Sequence, residues 1–192
     1  MSRLQSVFCR SAPWRIVARR VVLPWALQGV ELRGDVLEIG AGSGAMAAEV
    51  VHGFPTVRIT VTDFDPHMVE AASKRLAGAG DRVTARTADA TALPFADHSF
   101  DAVLSWVMLH HTVEWEQALA EAVRVLRPGG HLVGYDLVSV APLRVLHRSD
   151  DRIRLMGQRE LRAAVDTLPV DQAVFTPAVM GAAVRFVLRK AT

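Results

Sequence analysis

"DVLEIGAGSGAMAAEV", residues 35–50, decides how the rest of the chain is read. An apolar run holding one acid, Glu38, leads into Gly40, Gly42 and Gly44, and a helix-forming run follows. Glycine weakens strands and helices alike. A cluster of them marks a sharp turn or a place where something approaches the backbone closely. Between a first strand and a helix, such a turn presents N–H groups to a ligand. Gly40, Gly42 and Ala45 also satisfy G-x-G-x-x-G/A, so a dinucleotide site and a ligand-free tight turn both stay open on the local pattern. Glu38 sharpens the question, because a buried carboxylate costs several kcal/mol unless it is paired. Either a backbone or arginine neighbour satisfies it, or a cationic ligand group does.

Beyond Gly34, two kinds of segment alternate. "DVLEIG" reads as a strand and "AMAAEVVHGF" as a helix closing at Gly53. "TVRITVTDF" alternates and is β-branched, as a strand requires. "DPHMVEAASKRLAGAG" has an Asp cap, Pro66 at the first helical position, and stops at Gly78 and Gly80. "RVTARTADA" is a strand, and "SFDAVLSWVML" is a strand running into a loop or turn. "EWEQALAEAVRVLRPGG" is a helix with Ala118, Leu119, Ala122, Val123 and Leu126 on one face, expected to end at Pro128 and two glycines. "HLVGYDLVSV" is a strand, "QRELRAAVDTL" a helix, and "DQAVFTPAV" with "AAVRFVLRKA" a closing pair of strands. Upstream, Trp14 to Leu27 is expected to form an amphipathic helix entered at Pro13. The pattern predicts an α/β fold: a doubly wound, seven-stranded, mostly parallel sheet with helices on both faces. Ligands of such a sheet sit at the carboxyl ends of its strands.

The totals set outer limits. At 192 residues the chain is expected to be one domain. Cys9 is the only cysteine, which excludes an intrachain disulfide and a cysteine metal cluster and suits a reducing, cytoplasmic setting. The net charge of +2 is unevenly spread. Residues 1–33 carry +5, residues 34–143 carry −7 and residues 144–192 carry +4. The basic ends suit phosphate, acidic lipid or an anionic substrate, or are simply solvated surface arginine. No apolar run approaches the roughly 18 residues of a membrane span. Arg19-Arg20 precedes only a short apolar stretch with Pro24 inside it, which argues against an export signal.

Further features follow the glycine turn. Asp63 ends the second strand, 19 residues after Gly44, where a carboxylate accepts both hydroxyls of a ribose or merely forms a turn. In order and spacing, "VLEIGAGSG", "VTDFDPHMVEAA", "ADATALPFADHSFDAVLSWVMLHH" and "EAVRVLRPGGHLV" resemble the motifs of the class I S-adenosylmethionine-dependent methyltransferases, in particular the methyltransferase type 11 group. The resemblance covers about residues 34–138. It implies a Rossmann-like fold and S-adenosylmethionine as cofactor, with S-adenosylhomocysteine as product. It also implies roles. Glu38 and the loop of Gly40, Ala41, Gly42 and Gly44 would lie at the methionine end of the cofactor. Asp63 would bind the ribose, while Phe64 and Met68 flank the adenine. Asp89 would take the adenine amino group and the Ala90 N–H a ring nitrogen. Ser105 would face the amino-acid portion. Around this core of 34–138, residues 1–33 are expected as a helical cover, 139–157 as a substrate-side insertion, and 158–192 as the closing helix and strand pair of the single domain 1–192.

A methyl group on a sulfonium is already activated, so the protein mainly aligns the reactants, an effect on the order of 7–11 kcal/mol. His110 and His111, just past the fourth strand, are candidate general bases, or they only pack the turn. Trp14, Trp106, Met108 and Tyr135 are substrate-side candidates, with core packing as the alternative for the residues of the fourth strand. Asp136 is also placed to line the pocket. No metal-ligand spacing occurs. "SWVM" stands where amino-methylating DNA enzymes of the superfamily carry Asn/Asp-Pro-Pro-aromatic, and no basic stripe is interleaved with aromatics, so nucleic acid is not expected as partner. Peripheral membrane contact is disfavoured. A small-molecule or lipid-like acceptor remains. The other open readings are a cofactor-binding pseudoenzyme or regulator, and a nicotinamide-dependent oxidoreductase, in which Asp89-Ala90 and "LRPGG" would have no role.

Overall fold

The β-branched and apolar runs become the strands of one sheet. They are β1 Asp35–Ile39, β2 Arg58–Asp63, β3 Val83–Thr87, β4 Phe100–Trp106, β5 Leu126–Leu137, β6 Val170–Ala178 and β7 Ala183–Lys190. The computed structural model describes residues 16–139, 154 and 156–192. Pro13, Trp14 and most of the 139–157 segment therefore lie outside the described residues. The strand order is β3-β2-β1-β4-β5-β7-β6. β1 to β5 pair in parallel, and β7 runs antiparallel to both β5 and β6. The sheet is the seven-stranded, mostly parallel one that the sequence predicts. The chain winds outward from β1 to β3, then crosses back to place β4 on the other side of β1. That reversal opens a crevice at the carboxyl ends of β1 and β4.

Helices cover both faces. They are α1 (residues 16–26), α2 Ala45–Gly53, α3 Pro66–Leu76, α4 Trp115–Arg124 and α5 Gln158–Val165. Leu37, Ile39, Val103 and Leu132 pack with α4 and α5, whereas Val36, Leu104 and Val133 pack with α1, α2 and α3. This is the period-two alternation of buried strands, and it places Glu38 on the α1–α2 side.

Local chemistry explains most element ends. Asp65 caps α3 by accepting the His67 N–H at 2.8 Å, and Pro66 takes the first helical position. α3 stops at Leu76, and the glycines expected to stop it lie in a tighter turn, Ala77–Arg82. α1 is amphipathic as expected, burying Ala18, Leu23 and Ala26 and exposing Val17 and Val21. Pro24 does not end it. The turn Ala18–Val22 is wound wider, as a π-helix, where proline has no N–H to offer the preceding turn. α4 buries Trp115, Ala118, Leu119, Ala122 and Val123 but ends at Arg124, earlier than its periodicity suggests. Leu126, Pro128 and both glycines already belong to β5, and the pairing with β4 is irregular there. A side chain at Gly130 would sit 2.9 Å from the Asp101 carbonyl, so this glycine serves strand packing.

Candidate functional site

The loop after β1 holds Gly40, Gly42 and Gly44 at φ +62°, +53° and +74°, a region that L side chains resist. The three have different neighbours. A Cβ at Gly40 would lie 2.7 Å from Met108 Cβ, and one at Gly44 would lie 3.1 Å from Ala72 Cβ on α3. Those two let protein pack on protein. A Cβ at Gly42 would meet nothing within 4 Å, so only there does the missing side chain border open space. The loop is tied to β2: the Ala41 N–H donates to the Thr62 carbonyl, and the Gly42 N–H donates to Asp63 Oδ2 at 2.8 Å. Asp63 Oδ1 accepts the Asp65 N–H at 3.0 Å. The Asp63 carbonyl accepts the Ala88 N–H at 3.0 Å, joining the exit of β3 to the same place. Asp63 is thus a structural clasp, and each of its oxygens keeps a lone pair for a further donor.

Beside this loop Glu38 is 1% exposed, and burial pushes its carboxyl up to about 8. The Trp106 indole favours the anion and tempers that shift. No hydrogen bond of normal geometry joins them, however, since among the described residues Glu38 Oε2 and Trp106 Nε1 both lack a partner. Ser105 Oγ is also buried and has no partner among the described residues. Buried polar atoms rarely stay unsatisfied, and three of them fall on β1 and β4 next to the switch point. From Trp106 a row of rings runs outward. Trp106 and Tyr135 have centroids 5.5 Å apart, as do Tyr135 and Trp25 of α1. Trp25 was not singled out by the sequence reading, because its ring meets Tyr135 only once α1 docks.

The remaining candidates sit on the exits of their strands. Phe64, after β2, is 76% exposed, unusual for a phenylalanine, and Met68 is half-buried in the first turn of α3. Asp89, after β3, accepts the Thr91 N–H at 2.9 Å and its hydroxyl at 2.7 Å, with half-buried Ala90 beside it. After β4 the two histidines separate. His111 is exposed, whereas His110 is buried with Nδ1 2.6 Å from Asp136 Oδ1. Asp136 is fully buried and also accepts the N–H groups of Leu109 and Leu137, each at 2.7 Å. Its role as the His110 partner went unread in the sequence, since the two lie 26 residues apart. An acid inside an apolar strand is the same signal that drew attention to Glu38. Val107, at the turn out of β4, has φ +55°, a strained position for a β-branched residue. Met108 is buried against Gly40, so it packs the loop. Trp14 lies outside the described residues.

Comparison with known proteins agrees with this fold. The profile of the methyltransferase domain of type 11 matches residues 37–134. The chain is 40% identical over 103 residues to a ubiquinone/menaquinone biosynthesis C-methyltransferase, UbiE, of Desulfotalea psychrophila, covering 54% of this chain and 41% of that protein. It is 36% identical over 128 residues to a 27-O-demethylrifamycin SV methyltransferase of Amycolatopsis mediterranei, covering 65% of this chain and 47% of that one. The chain thus spans about half the length of these curated relatives. Among solved structures, a Haemonchus contortus phosphoethanolamine N-methyltransferase in complex with S-adenosylhomocysteine shares the fold, with TM-score 0.80 at 15% identity over 98% of this chain and 57% of that one. A first strand, glycine turn and acid-ended second strand in this order, set in this sheet and matched by that profile, place the chain in the methyltransferase domain family.

Proposed function

We propose that the chain binds S-adenosylmethionine over the carboxyl ends of β1 and β4 and transfers its methyl group to a small, ring-bearing acceptor. The observation that carries this reading is Glu38, a buried carboxyl with an unpartnered oxygen, close to a glycine that faces open space. A cationic group would supply the counter-charge that lets Glu38 ionise. The residues fit such a ligand. Glu38 and Ser105 would hold its amino-acid end, and the backbone of Gly40, Ala41 and Gly42, with Gly44 closing the turn, would pass beside it. Asp63 would accept the ribose hydroxyls on its remaining lone pairs. Phe64 and Met68 would flank the base, with Asp89 and the Ala90 N–H at its edge. When bound, the cofactor supplies a methyl group on a positively charged sulfur. The family assignment supports this reading over the nicotinamide-dependent alternative.

On the acceptor side, the row Trp106, Tyr135 and Trp25, whose planes are tilted by 35° and 58°, offers aromatic ring faces. It suits acceptors of the kind the relatives are named for, in quinone biosynthesis and on rifamycin. Arg154 donates its N–H to the His110 carbonyl and pairs with Glu116. His110 is the base of this reading. Asp136 holds the proton on Nδ1, which leaves the Nε2 lone pair to take a proton from an acceptor hydroxyl.

Calorimetry tests the reading without knowledge of the acceptor. Binding of S-adenosylmethionine at pH 7, measured in two buffers of different ionisation enthalpy, is expected to release up to about one proton as Glu38 ionises. Glu38→Gln is expected to bind more weakly and release none. Absence of binding refutes the function, while binding without proton release removes only Glu38 from the site.

A further inference from the structure

A cavity of about 180 Å³ lies away from the crevice, where the chain leaving α1 crosses β5, β7 and β6. Arg185, Arg189, His131, Gln28 and Gln172 line it. The register pairs His131 with Arg189 four residues ahead of the Tyr135–Arg185 pair, so the cavity extends toward the amino end of β5. Arg185 is the unusual member. It is 4% exposed, and its Nε and one Nη donate to the carbonyls of Ala26 and Gln28. Among the described residues no carboxylate pairs with it. Burial alone lowers its affinity for its proton, with no acid opposing that effect. Carbonyls at a helix end carry only partial charge, so a buried guanidinium with no counter-ion is poorly compensated.

The surroundings are also positive. Burial, then the charges of Arg189 and Arg33, hold His131 below its usual range, and only Asp171 opposes them. Asp171 pairs with Arg189 at 3.3 Å in a partly exposed bridge, of the kind a competing anion displaces easily. The cavity is smaller than the roughly 300–1,000 Å³ of drug-sized ligand pockets. It has room for about six waters' share of liquid, counting about 30 Å³ each.

We propose that this cavity binds a phosphate group, gripped by Arg185 and Arg189 and hydrogen-bonded by Gln28, Gln172 and His131. Guanidinium forks match tetrahedral oxyanions, and two of them with neutral amide donors make a fitting cradle. Occupancy would fasten α1 to β7 through Arg185, and α1 carries Trp25 against Tyr135. Phosphate binding there does not depend on the methyl-donor reading; an effect on the acceptor surface through Trp25 and Tyr135 would rest on it.

The test is calorimetry of the purified chain with inorganic phosphate, in chloride buffers of matched ionic strength. Arg189→Gln and Gln172→Leu are titrated alongside and checked by circular dichroism for native fold. Arg185 is left intact because it also anchors α1. Saturable one-site binding is expected, weakened about tenfold or more in Arg189→Gln. Glycerol 3-phosphate is the second titrant. Tighter binding than inorganic phosphate makes the ligand an organic phosphate, and equal binding makes it the free anion; either supports the site. No saturable heat with either titrant, or equal affinity in all three proteins, overturns it and leaves Arg185 as a helix anchor only.

Discussion

Gly40, Gly42 and Gly44 look alike in the sequence and do different work. All three sit at positive φ, but only Gly42 faces open space, while Gly40 abuts Met108. Substitution separates them. Gly40→Ala meets both the left-handed strain and a Cβ 2.7 Å from Met108, and should lose about 2–4 kcal/mol of stability. Gly42→Ala meets the strain alone, about 1–2 kcal/mol, and its larger effect should fall on cofactor affinity. Urea unfolding and calorimetry with S-adenosylhomocysteine measure both. Equal stability losses would mean that the loop relaxes around Met108. Asp63 shows the same division of labour, since a residue picked out as a ribose ligand also clasps Gly42 and Asp65.

Among the elements, the turn leaving β4 concentrates the strain. Val107 is held at φ +55° by an N–H bond to the Tyr135 carbonyl, and Met108 is wedged against Gly40. The short helical turn Leu109–His111 then hangs on the buried Asp136 of β5. One carboxylate accepting Leu109, Leu137 and His110 gives that turn a single position. The arrangement has a spectroscopic consequence. Nitrogen-15 correlation spectra should show neutral His110 protonated on Nδ1, and Asp136→Asn should reduce that preference. A proton resident on Nε2 in the native protein would remove His110 as a base. Sequence periodicity located the elements on either side of this turn, yet it carries no information about which strand residue the turn is bonded to.

For the whole molecule, the buried acid links folding to pH. The Glu38 carboxyl rises from an ordinary 4.5 to about 8 on folding, so the native state holds its proton more tightly than the unfolded chain does. Stability from this group is fully present below about pH 4.5 and is lost as pH climbs through 8. Urea unfolding of the ligand-free protein across that window should slope downward, and Glu38→Gln should flatten the slope. Parallel curves for the two proteins would mean that Glu38 ionises freely in the fold. The alternation of elements in one mostly parallel sheet was legible, because strand and helix periods are local and the glycine turn, the Asp65 cap and the closing strand pair mark where elements start and stop; the strand order was left to the packing. The amino acids alone determined the alternation of strand and helix, the family, and which residue types gather at strand ends. Only the tertiary structure decided that Asp136 meets His110, that Trp25 joins Tyr135 and Trp106, and that Arg185 is buried against the Ala26 and Gln28 carbonyls with no counter-ion among the described residues. Those pairings join residues 26 to 159 positions apart, and such contacts form through packing of whole faces, which no local period encodes.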